Sequence, residues 1–273
     1  MLIDGKKIAE EIKEELKKEI MANPPAGGLK LAIVQVGENE ISKKFVEKKV
    51  KFAEEIGVET ELYNLPAEIL TEELREKMVE ICNDQKNNGV ILQLPLPEHI
   101  DTQYVLDGIP VNKDIDVLSS NPPTGGKILP PLVGVVKIIF EKYDIKPVGK
   151  NIVVIGRGIL VGKPIANWLI DQGATVSVLN SKTPNPSDYT LIADVIISGV
   201  GKPGLIKPDM VKNGVVIIDA GTSPSTGSGQ PAKLIGDFDP AVAEIASLFT
   251  PVPGGVGPLT VAMLFQNLVE LSK

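Results

Sequence analysis

Glycines cluster in one short stretch of this chain, KNIVVIGRGILVGKP from Lys150 to Pro164. Gly156, Gly158 and Gly162 follow an apolar run that is typical of a buried strand, and helical apolar spacing comes after them. Because glycine has no Cβ, such a turn lets the backbone approach a pyrophosphate, whose negative charge suits the start of the next helix. The third glycine lies one residue late for the dinucleotide-binding pattern, so the stretch also fits a plain tight crossover.

Three further segments carry polar groups whose types could do chemistry. A predicted helix, SKKFVEKK, places Ser42, Phe45 and Lys49 on one face. Gln93 ends the apolar run in VILQLPLP, and Asp114 and Asp116 lie in NKDIDV. Three of these residues also have an ordinary structural explanation. Lys49 would be a solvated lysine like its neighbours Lys43, Lys44 and Lys48. Gln93 would be a polar strand end, and Asp116 an aspartate that caps a turn.

The elements around these residues alternate strictly between helix and strand. After a first amphipathic helix from Asp4, with Ile8, Ile12, Leu16 and Ile20 on one face, we predict strands and helices at 29–36, 42–56, 58–63, 71–82 and 89–92. A helix at 133–143 leads to strands at 151–155, 175–179, 193–198 and 214–219. This alternation indicates an α/β protein of two α/β domains, the second a Rossmann-type doubly wound parallel sheet.

The proline-rich stretch SSNPPTGGKILPP and the segment before Lys150 indicate a domain boundary. We predict one domain over 1–143 plus 256–273 and another over 144–255. The apolar C-terminal helix VAMLFQNLVELSK is expected to pack back on the first domain. The PSTGSG stretch between Ser223 and Gln230 has no apolar anchor and is predicted to be an exposed turn.

Composition narrows the class of protein. The 273 residues carry 28 Lys and Arg against 35 Asp and Glu, a net charge of −7, which argues against nucleic acid as a partner. The single cysteine, Cys82, excludes an intrachain disulfide, and no Cys and His cluster offers a metal site. Without a signal peptide or an apolar run of about 18 residues, we expect a soluble cytoplasmic protein with no membrane partner. The only histidine, His99, is expected to be exposed and receives no role.

The stretch TPVPGGVGPLT, Thr250 to Thr260, indicates a known protein family when it is combined with the segments above. With LIDGKKIA, GKPGLI, MVKNGVVIIDAG and GDFD, these motifs occur in the order and spacing of bifunctional methylenetetrahydrofolate dehydrogenase/cyclohydrolases. The chain closely resembles that family over essentially its whole length.

The resemblance implies that 5,10-methylenetetrahydrofolate is oxidised with NADP to the methenyl form, which is then hydrolysed to 10-formyltetrahydrofolate. It also implies that the first domain binds folate, that the second binds NADP, and that the chain forms a homodimer. On matching positions Lys49 is the catalytic lysine, Gln93 its hydrogen-bonding partner, and Asp116 the residue that holds the pterin. A lysine buried in a cleft can reach the pKa that acid/base catalysis needs. The implied substrate-binding residues are Ser42, Phe45, Pro253, Gly254 and Gly255, and the cofactor-binding residues are Gly156, Arg157, Gly158, Gly162, Ser181 and Thr222.

Some positions depart from the family pattern. Phe45 stands where a tyrosine is usual, Val117 follows Asp116 in place of a glycine, Gly158 replaces a serine and Asn180 a histidine. LPPLVG, Leu129 to Gly134, stands in place of the usual proline-cysteine-threonine-proline loop. These changes leave open a divergent member that has lost one activity or only binds folate or nucleotide, and the architecture alone would also suit an unrelated NAD-dependent dehydrogenase.

The residues after the second strand of the second domain bear on the choice of nucleotide. An NAD site usually has an acidic residue there for the ribose hydroxyls, whereas this strand runs into Asn180, Ser181 and Lys182. We therefore predict NADP. Arg157 and Ser181 would hold its 2′-phosphate, because a guanidinium matches phosphate oxygens in a bidentate way.

Overall fold

The computed structural model describes residues 1–25, 27–120, 127–224 and 234–273, without the side chain of Ile41. These residues divide into two compact units. The three-stranded unit comprises Glu10–Pro131 and Val261–Lys273, and the five-stranded unit comprises Met1–Ala9 and Leu132–Thr260. The predicted functional division at 1–143, 144–255 and 256–273 stays a prediction.

Helices and strands alternate along most of the described chain. The α-helices are α1 (Gly5–Ala22), α2 (Glu40–Ile56), α3 (Thr71–Asn83), α4 (Thr102–Leu106), α5 (Pro131–Lys142), α6 (Gly162–Asp171), α7 (Ser187–Thr190), α8 (Val242–Ile245) and α9 (Val256–Leu271). The strands are β1 (Lys30–Val36), β2 (Glu59–Leu65), β3 (Gly89–Leu92), β4 (Asn151–Ile155), β5 (Thr175–Leu179), β6 (Val195–Ser198), β7 (Val216–Asp219), β8 (Ser223–Pro224), β9 (Leu234–Ile235) and β10 (Leu248–Phe249). A 3-10 turn lies at Pro208–Met210.

The three-stranded unit has the parallel sheet that the alternation predicts, in the order β2-β1-β3. The central strand β1 is buried from Leu31 onwards because it is covered on both faces, as its near-continuous apolar sequence indicates. Ala32 and Val34 share a core with Leu74 and Met78 of α3, and all four side chains are fully buried. Of the apolar face predicted for α1, Ile8, Ile12 and Leu16 are buried and Ile20 is half-buried.

Helix α9 packs on the three-stranded unit with its C-terminal half, as predicted. Phe265 is fully buried and stacks on Phe52 of α2 at 5.0 Å between ring centroids. A Cβ on Gly89 would lie 2.7 Å from Cδ1 of Leu268, so β3 and α9 touch through a glycine. Although α9 is strongly apolar, no helix among the described residues is long and apolar enough to cross a membrane.

The five-stranded unit contains a parallel sheet in the order β10-β7-β6-β4-β5. From β4 the chain first adds β5 on one side and later β6 on the other, so the direction of winding reverses between β4 and β6. In doubly wound sheets, ligands bind outside the carboxyl ends of the strands at this point. This confirms the predicted Rossmann-type domain.

Several short elements were not predicted. Helices α4, α7 and α8 have four or five residues, which is too short for a helical period to be recognised. Strand β10 has two residues and forms an edge of the larger sheet, where it also bridges to Leu2 of the N-terminal segment.

The stretch LPPLVG is only partly a loop, because α5 begins at Pro131, where a proline suits the first helical turn. Residues 121–126 of the proline-rich stretch lie outside the described residues, as do residues 225–233, which include most of the predicted exposed turn.

The backbone at Val117 is unusual. Its φ is 55°, a left-handed conformation that a β-branched residue rarely adopts, and its side chain is only 8% exposed. The adjacent Asp116 lies in a turn in which the backbone N–H of Val117 donates to the carbonyl of Asp114 at 3.3 Å. Burial of the Val117 side chain offsets part of the backbone strain.

We expect Val117→Gly to be more stable than Val117→Ala by about 1 kcal/mol, because only glycine adopts this φ without strain and both variants lose the valine side chain. Urea denaturation followed by far-UV circular dichroism measures the difference. At Glu76, an exposed residue in the middle of α3, the matched Ala and Gly variants should rank in the usual opposite order. An alanine variant at 117 that equals or exceeds the glycine variant would contradict the strained backbone.

Candidate functional site

Lys49 differs from the other lysines of its helix. Its side chain is buried and the residue is 8% exposed, whereas Lys44 and Lys48 are exposed, and Lys43 pairs with Glu38 and Glu40 at the surface. The solvated-lysine alternative therefore does not describe this position. Its Nζ donates a hydrogen bond of 2.9 Å to Oε1 of Gln93.

Gln93 is held in place from both ends. It directly follows β3, and its backbone N–H donates to the carbonyl of Val34 at 2.8 Å. Its side-chain amide donates to the carbonyl of Leu94 at 2.7 Å, which leaves Oε1 as the acceptor for Lys49. The amide is therefore oriented by the backbone, and the predicted pair of Lys49 and Gln93 is in contact.

Asp116 lies close enough to Lys49 for each charge to affect the other. Burial lowers the pKa of Lys49, and the negative charge of Asp116 opposes that shift. Although Asp116 keeps part of its surface exposed, the protein packed around it raises its pKa to about 6, against the opposing effect of Lys49. Two groups that titrate away from their ordinary values are typical of sites that do chemistry.

Asp114 and Asn267 hold the loop that carries Asp116, and the sequence did not indicate either role. Oδ2 of Asp114 accepts hydrogen bonds from the backbone N–H groups of Leu118 and Ser119 at 3.0 and 2.9 Å. The side-chain amide of Asn267 on α9 donates to the carbonyl of Ile115 at 2.8 Å. The signal that could have pointed to Asn267 is an amide on the apolar face of α9, next to the exposed Gln266, because buried polar groups need partners.

Ser42 and Phe45 lie on the same face of α2 as Lys49, as the helical spacing predicts. Ser42 is 3% exposed, and its hydroxyl has no hydrogen-bond partner in the described part of the chain. Phe45 is half-buried, with the ammonium of Lys48 5.3 Å from its ring centroid. The three-stranded unit thus brings Lys49, Gln93 and Asp116 together, and the spacing along α2 places Ser42 and Phe45 on the Lys49 side of that helix.

The glycine turn of the five-stranded unit requires two of its three glycines. A Cβ on Gly162 would lie 2.0 Å from the carbonyl oxygen of Gly156, so only glycine lets the first turn of α6 approach the end of β4. Gly156 itself has a φ of 100°. A Cβ on Gly158 would meet no atom within 4 Å, so packing does not require a glycine there.

The residues predicted to bind the 2′-phosphate are at the surface of the same unit. Arg157 and Ser181 are exposed, and no residue in the described ranges forms a hydrogen bond or ion pair with the Arg157 guanidinium. Oδ1 of Asn180 accepts the backbone N–H of Lys182 at 2.9 Å, which turns the chain sharply after β5. Thr222 is exposed in the loop after β7.

Pro253, Gly254 and Gly255 also lie in the five-stranded unit, after β10. Gly254 has a φ of 108°, and the backbone N–H of Gly255 donates to the carbonyl of Pro251 at 2.8 Å. A Cβ on Gly5 would lie 1.8 Å from the carbonyl oxygen of Gly255, so the start of α1 supports this loop by direct backbone contact. Gly5 was not singled out in the sequence.

His99 is exposed, with Nε2 3.0 Å from the carbonyl oxygen of Ile69. Within the described ranges, no group of three or more His, Cys, Asp or Glu residues could hold a metal ion.

We expect Asp116→Asn to stabilise the protein at pH 8 by about 1–2 kcal/mol, a value reduced for the partial exposure of this residue. The folded state holds the Asp116 proton more tightly than the unfolded state does, since its folded pKa is about 6. The stability that this group contributes is present below its unfolded pKa and is lost as the pH rises through 6. The difference between variant and wild type should disappear near pH 4, as measured by urea denaturation at both pH values.

Asp107→Asn is the matched control of opposite sign. The backbone N–H of Ser120 holds the pKa of Asp107 below its usual range, so its ionised form stabilises the fold at neutral pH. That variant should be less stable than wild type at pH 8. A loss of stability in Asp116→Asn as well would contradict the electrostatic account of Asp116.

Comparison with known proteins places the whole chain in one family. Family models for the catalytic domain and the NAD(P)-binding domain of tetrahydrofolate dehydrogenase/cyclohydrolase match residues 3–116 and 131–273. The bifunctional protein FolD of Moorella thermoacetica is 41% identical over 282 residues, which cover 100% of this chain and 98% of that protein.

Two crystal structures of such enzymes are also similar. FolD from Campylobacter jejuni has a TM-score of 0.91 at 37% identity, covering 100% of this chain and 98% of that one. The Trypanosoma brucei methylenetetrahydrofolate dehydrogenase-cyclohydrolase, in complex with NADP and an inhibitor, has a TM-score of 0.92 at 31% identity, covering 100% and 97%. The chain belongs to the tetrahydrofolate dehydrogenase/cyclohydrolase family.

Proposed function

We propose that this chain oxidises 5,10-methylenetetrahydrofolate to 5,10-methenyltetrahydrofolate with NADP and then hydrolyses the product to 10-formyltetrahydrofolate. Family membership over the full length supports both activities. The observation that carries the proposal is the buried ammonium of Lys49, hydrogen-bonded to Gln93 beside the charge of Asp116. A divergent member that only binds ligands would have no need to keep an ammonium buried.

Lys49 acts as the proton-transfer group in the hydrolysis. Water adds to the methenyl carbon and must lose a proton, and the C–N bond that breaks leaves a nitrogen that can take one up. A lysine with its ordinary pKa holds its proton at neutral pH, so the burial that lowers the Lys49 pKa is what makes it useful as a base. Gln93 fixes where the amine points.

Asp116 holds the pterin, whose ring edge offers N–H donors that a carboxylate can accept in a fork. With a pKa raised to about 6, the carboxyl is largely ionised at neutral pH, and such donors would favour the ionised form. The Phe45 ring offers an apolar face for the aromatic part of folate, and Ser42 offers a buried hydroxyl without a protein partner. Pro253, Gly254 and Gly255 contribute backbone groups.

NADP fits the glycine turn on three observations: the close approach of Gly162 to Gly156, the free space beside Gly158, and the unpaired charge of Arg157 among the described residues. Bound there, NADP would supply the acceptor for a hydride from the methylene carbon. Gly156, Gly158, Gly162 and Thr222 would hold it through backbone and hydroxyl groups. Arg157 and Ser181 would select the 2′-phosphate, and β5 is followed by Asn180, which does not repel a phosphate.

We also propose a functional division of the chain. Residues 1–143 with 256–273 would form the folate-binding catalytic domain, and 144–255 the NADP-binding domain. We further propose a cytoplasmic homodimer, supported by the family and by Cys82, a buried free thiol in the described chain. Light scattering coupled to size-exclusion chromatography would give the mass in solution.

With methylenetetrahydrofolate and NADP, the wild type should form methenyltetrahydrofolate, detected by its absorbance, and then consume it. Lys49→Met should lower the rate of consumption by about 10²–10⁴-fold, the usual contribution of a proton-transfer group. The protein should stay folded, because an apolar chain of similar length replaces a buried charge.

Lys44→Met is the control, since Lys44 is exposed on the same helix. It should hydrolyse the methenyl compound at the wild-type rate. A Lys49→Met enzyme that also does so would remove Lys49 from the mechanism.

Arg157→Ala should raise the KM for NADP by about tenfold or more and change the KM for NAD little, since a charge-assisted bidentate contact with the 2′-phosphate would be lost. Dehydrogenase kinetics with each nucleotide give the ratio. Lys150→Ala, which removes an exposed charge beside the amino end of β4, should leave both values unchanged. An unaltered preference for NADP in Arg157→Ala would show that other residues select the phosphate.

A further inference from the structure

A buried aspartate that no step above uses lies at the carboxyl end of β6. Asp237 is fully buried, and its carboxylate accepts three hydrogen bonds. Oδ2 accepts from the hydroxyl of Ser198 at 2.6 Å and the backbone N–H of Val200 at 2.8 Å, and Oδ1 accepts from the backbone N–H of Lys202 at 2.7 Å. An ionised carboxylate can accept several hydrogen bonds at once, so this one group holds the segment 199–202 in place.

That segment packs on the glycine turn. A Cβ on Gly156 would lie 2.7 Å from Cγ1 of Val200, so Val200 covers the first glycine. In return, a Cβ on Gly199 would lie 2.6 Å from Cγ1 of Val161, the residue before α6. The two loops meet where the winding of the sheet reverses, between β4 and β6. This is the expected place of a nucleotide in such a sheet.

Asp237 is itself braced from β7. Its backbone N–H donates to Oδ1 of Asp219 at 3.1 Å, and the same oxygen accepts the backbone N–H of Gly221 at 3.0 Å. A Cβ on Gly221 would lie 2.2 Å from Cγ of Asp237, so the carboxyl group lies directly against that backbone. The loop after β7 also reaches the segment 199–202, because the hydroxyl of Ser223 donates to the carbonyl of Gly201 at 2.7 Å.

We infer that Asp237 is a positioning residue for nucleotide binding, which holds the segment 199–202 against the glycine turn so that both loops and the Thr222 loop present one ordered surface to NADP. Gly199 and Gly201 make this segment intrinsically mobile, and without the anchor its ordering would oppose binding. The inference rests on the proposed function.

Two variants weaken the anchor to different degrees. Asp237→Asn keeps one acceptor oxygen and turns an N–H₂ group towards a donor, so a backbone N–H loses its partner. Ser198→Ala removes one donor and little volume. By isothermal titration calorimetry, we expect NADP to bind about tenfold more weakly to Asp237→Asn and a few-fold more weakly to Ser198→Ala. Hydrolysis of methenyltetrahydrofolate, assayed without NADP, should stay within about twofold of wild type, since Lys49 and its partners belong to the other unit.

Asp194→Asn is the matched control. This carboxylate also accepts a backbone N–H, that of Asn151 at 2.9 Å, and pairs with Lys212, but at the amino ends of β4 and β6. It should leave NADP affinity unchanged. Wild-type NADP affinity in both test variants would overturn the inference. A rate of hydrolysis that falls together with NADP affinity in Ser198→Ala would also overturn it. If Asp237→Asn does not fold, Ser198→Ala decides. A wild-type chain that binds no NADP would overturn the proposed function as well, whereas unaffected variants overturn this inference alone.

Discussion

The burial of one ammonium group, that of Lys49, is the constraint on which the candidate site in the three-stranded unit depends. Removing a charge from water is strongly unfavourable unless hydrogen bonds and an opposite charge compensate. Here an amide oxygen from the end of β3 and the charge of Asp116 provide that compensation. This compensation is incomplete, because burial still lowers the pKa of Lys49. With complete compensation the lysine would keep its ordinary pKa and would be a poorer base at neutral pH. Strand β1 holds the backbone of Gln93, and α9 holds the loop that carries Asp116.

In both units, other buried carboxylates have a structural role that differs from the role of Asp116. Asp114 accepts two backbone N–H groups of the loop after β3, and Asp237 and Asp219 accept those of the loops after β6 and β7. Backbone donors in tight loops cannot pair within a strand or helix, and a carboxylate satisfies several of them at once. Despite its hydrogen bonds, burial raises the pKa of Asp219 to about 6. At this carboxyl group the loss of solvation therefore outweighs the hydrogen bonds. Asp116 differs because its carboxylate remains available for a ligand.

The departures from the family pattern change local geometry and leave the central contact intact. Phe45 remains half-buried on α2, with the ammonium of Lys48 5.3 Å from its ring centroid. Val117 accepts a left-handed φ of 55° where a glycine would be unstrained. Asn180 uses its side chain to close the turn after β5. None of them removes the hydrogen bond between Lys49 and Gln93, which is why the bifunctional assignment is compatible with all of them.

Periodicity in the sequence was sufficient for the long helices, the parallel strands and the helical face shared by Ser42, Phe45 and Lys49, because these patterns are local. The order of the strands, and the place where the winding reverses, came only from the tertiary structure, because alternation does not set the side on which each strand is added. The sequence could not separate Lys49 from Lys44 and Lys48, since burial depends on what packs over a helix and three lysines within six positions look alike. Nor could it assign Asp114, Asp237 or Asn267, whose partners are distant in the chain or belong to the backbone. The tertiary structure decided which polar residues lose water, and with them which groups could do chemistry, because desolvation is a property of the packed surroundings and not of the residue.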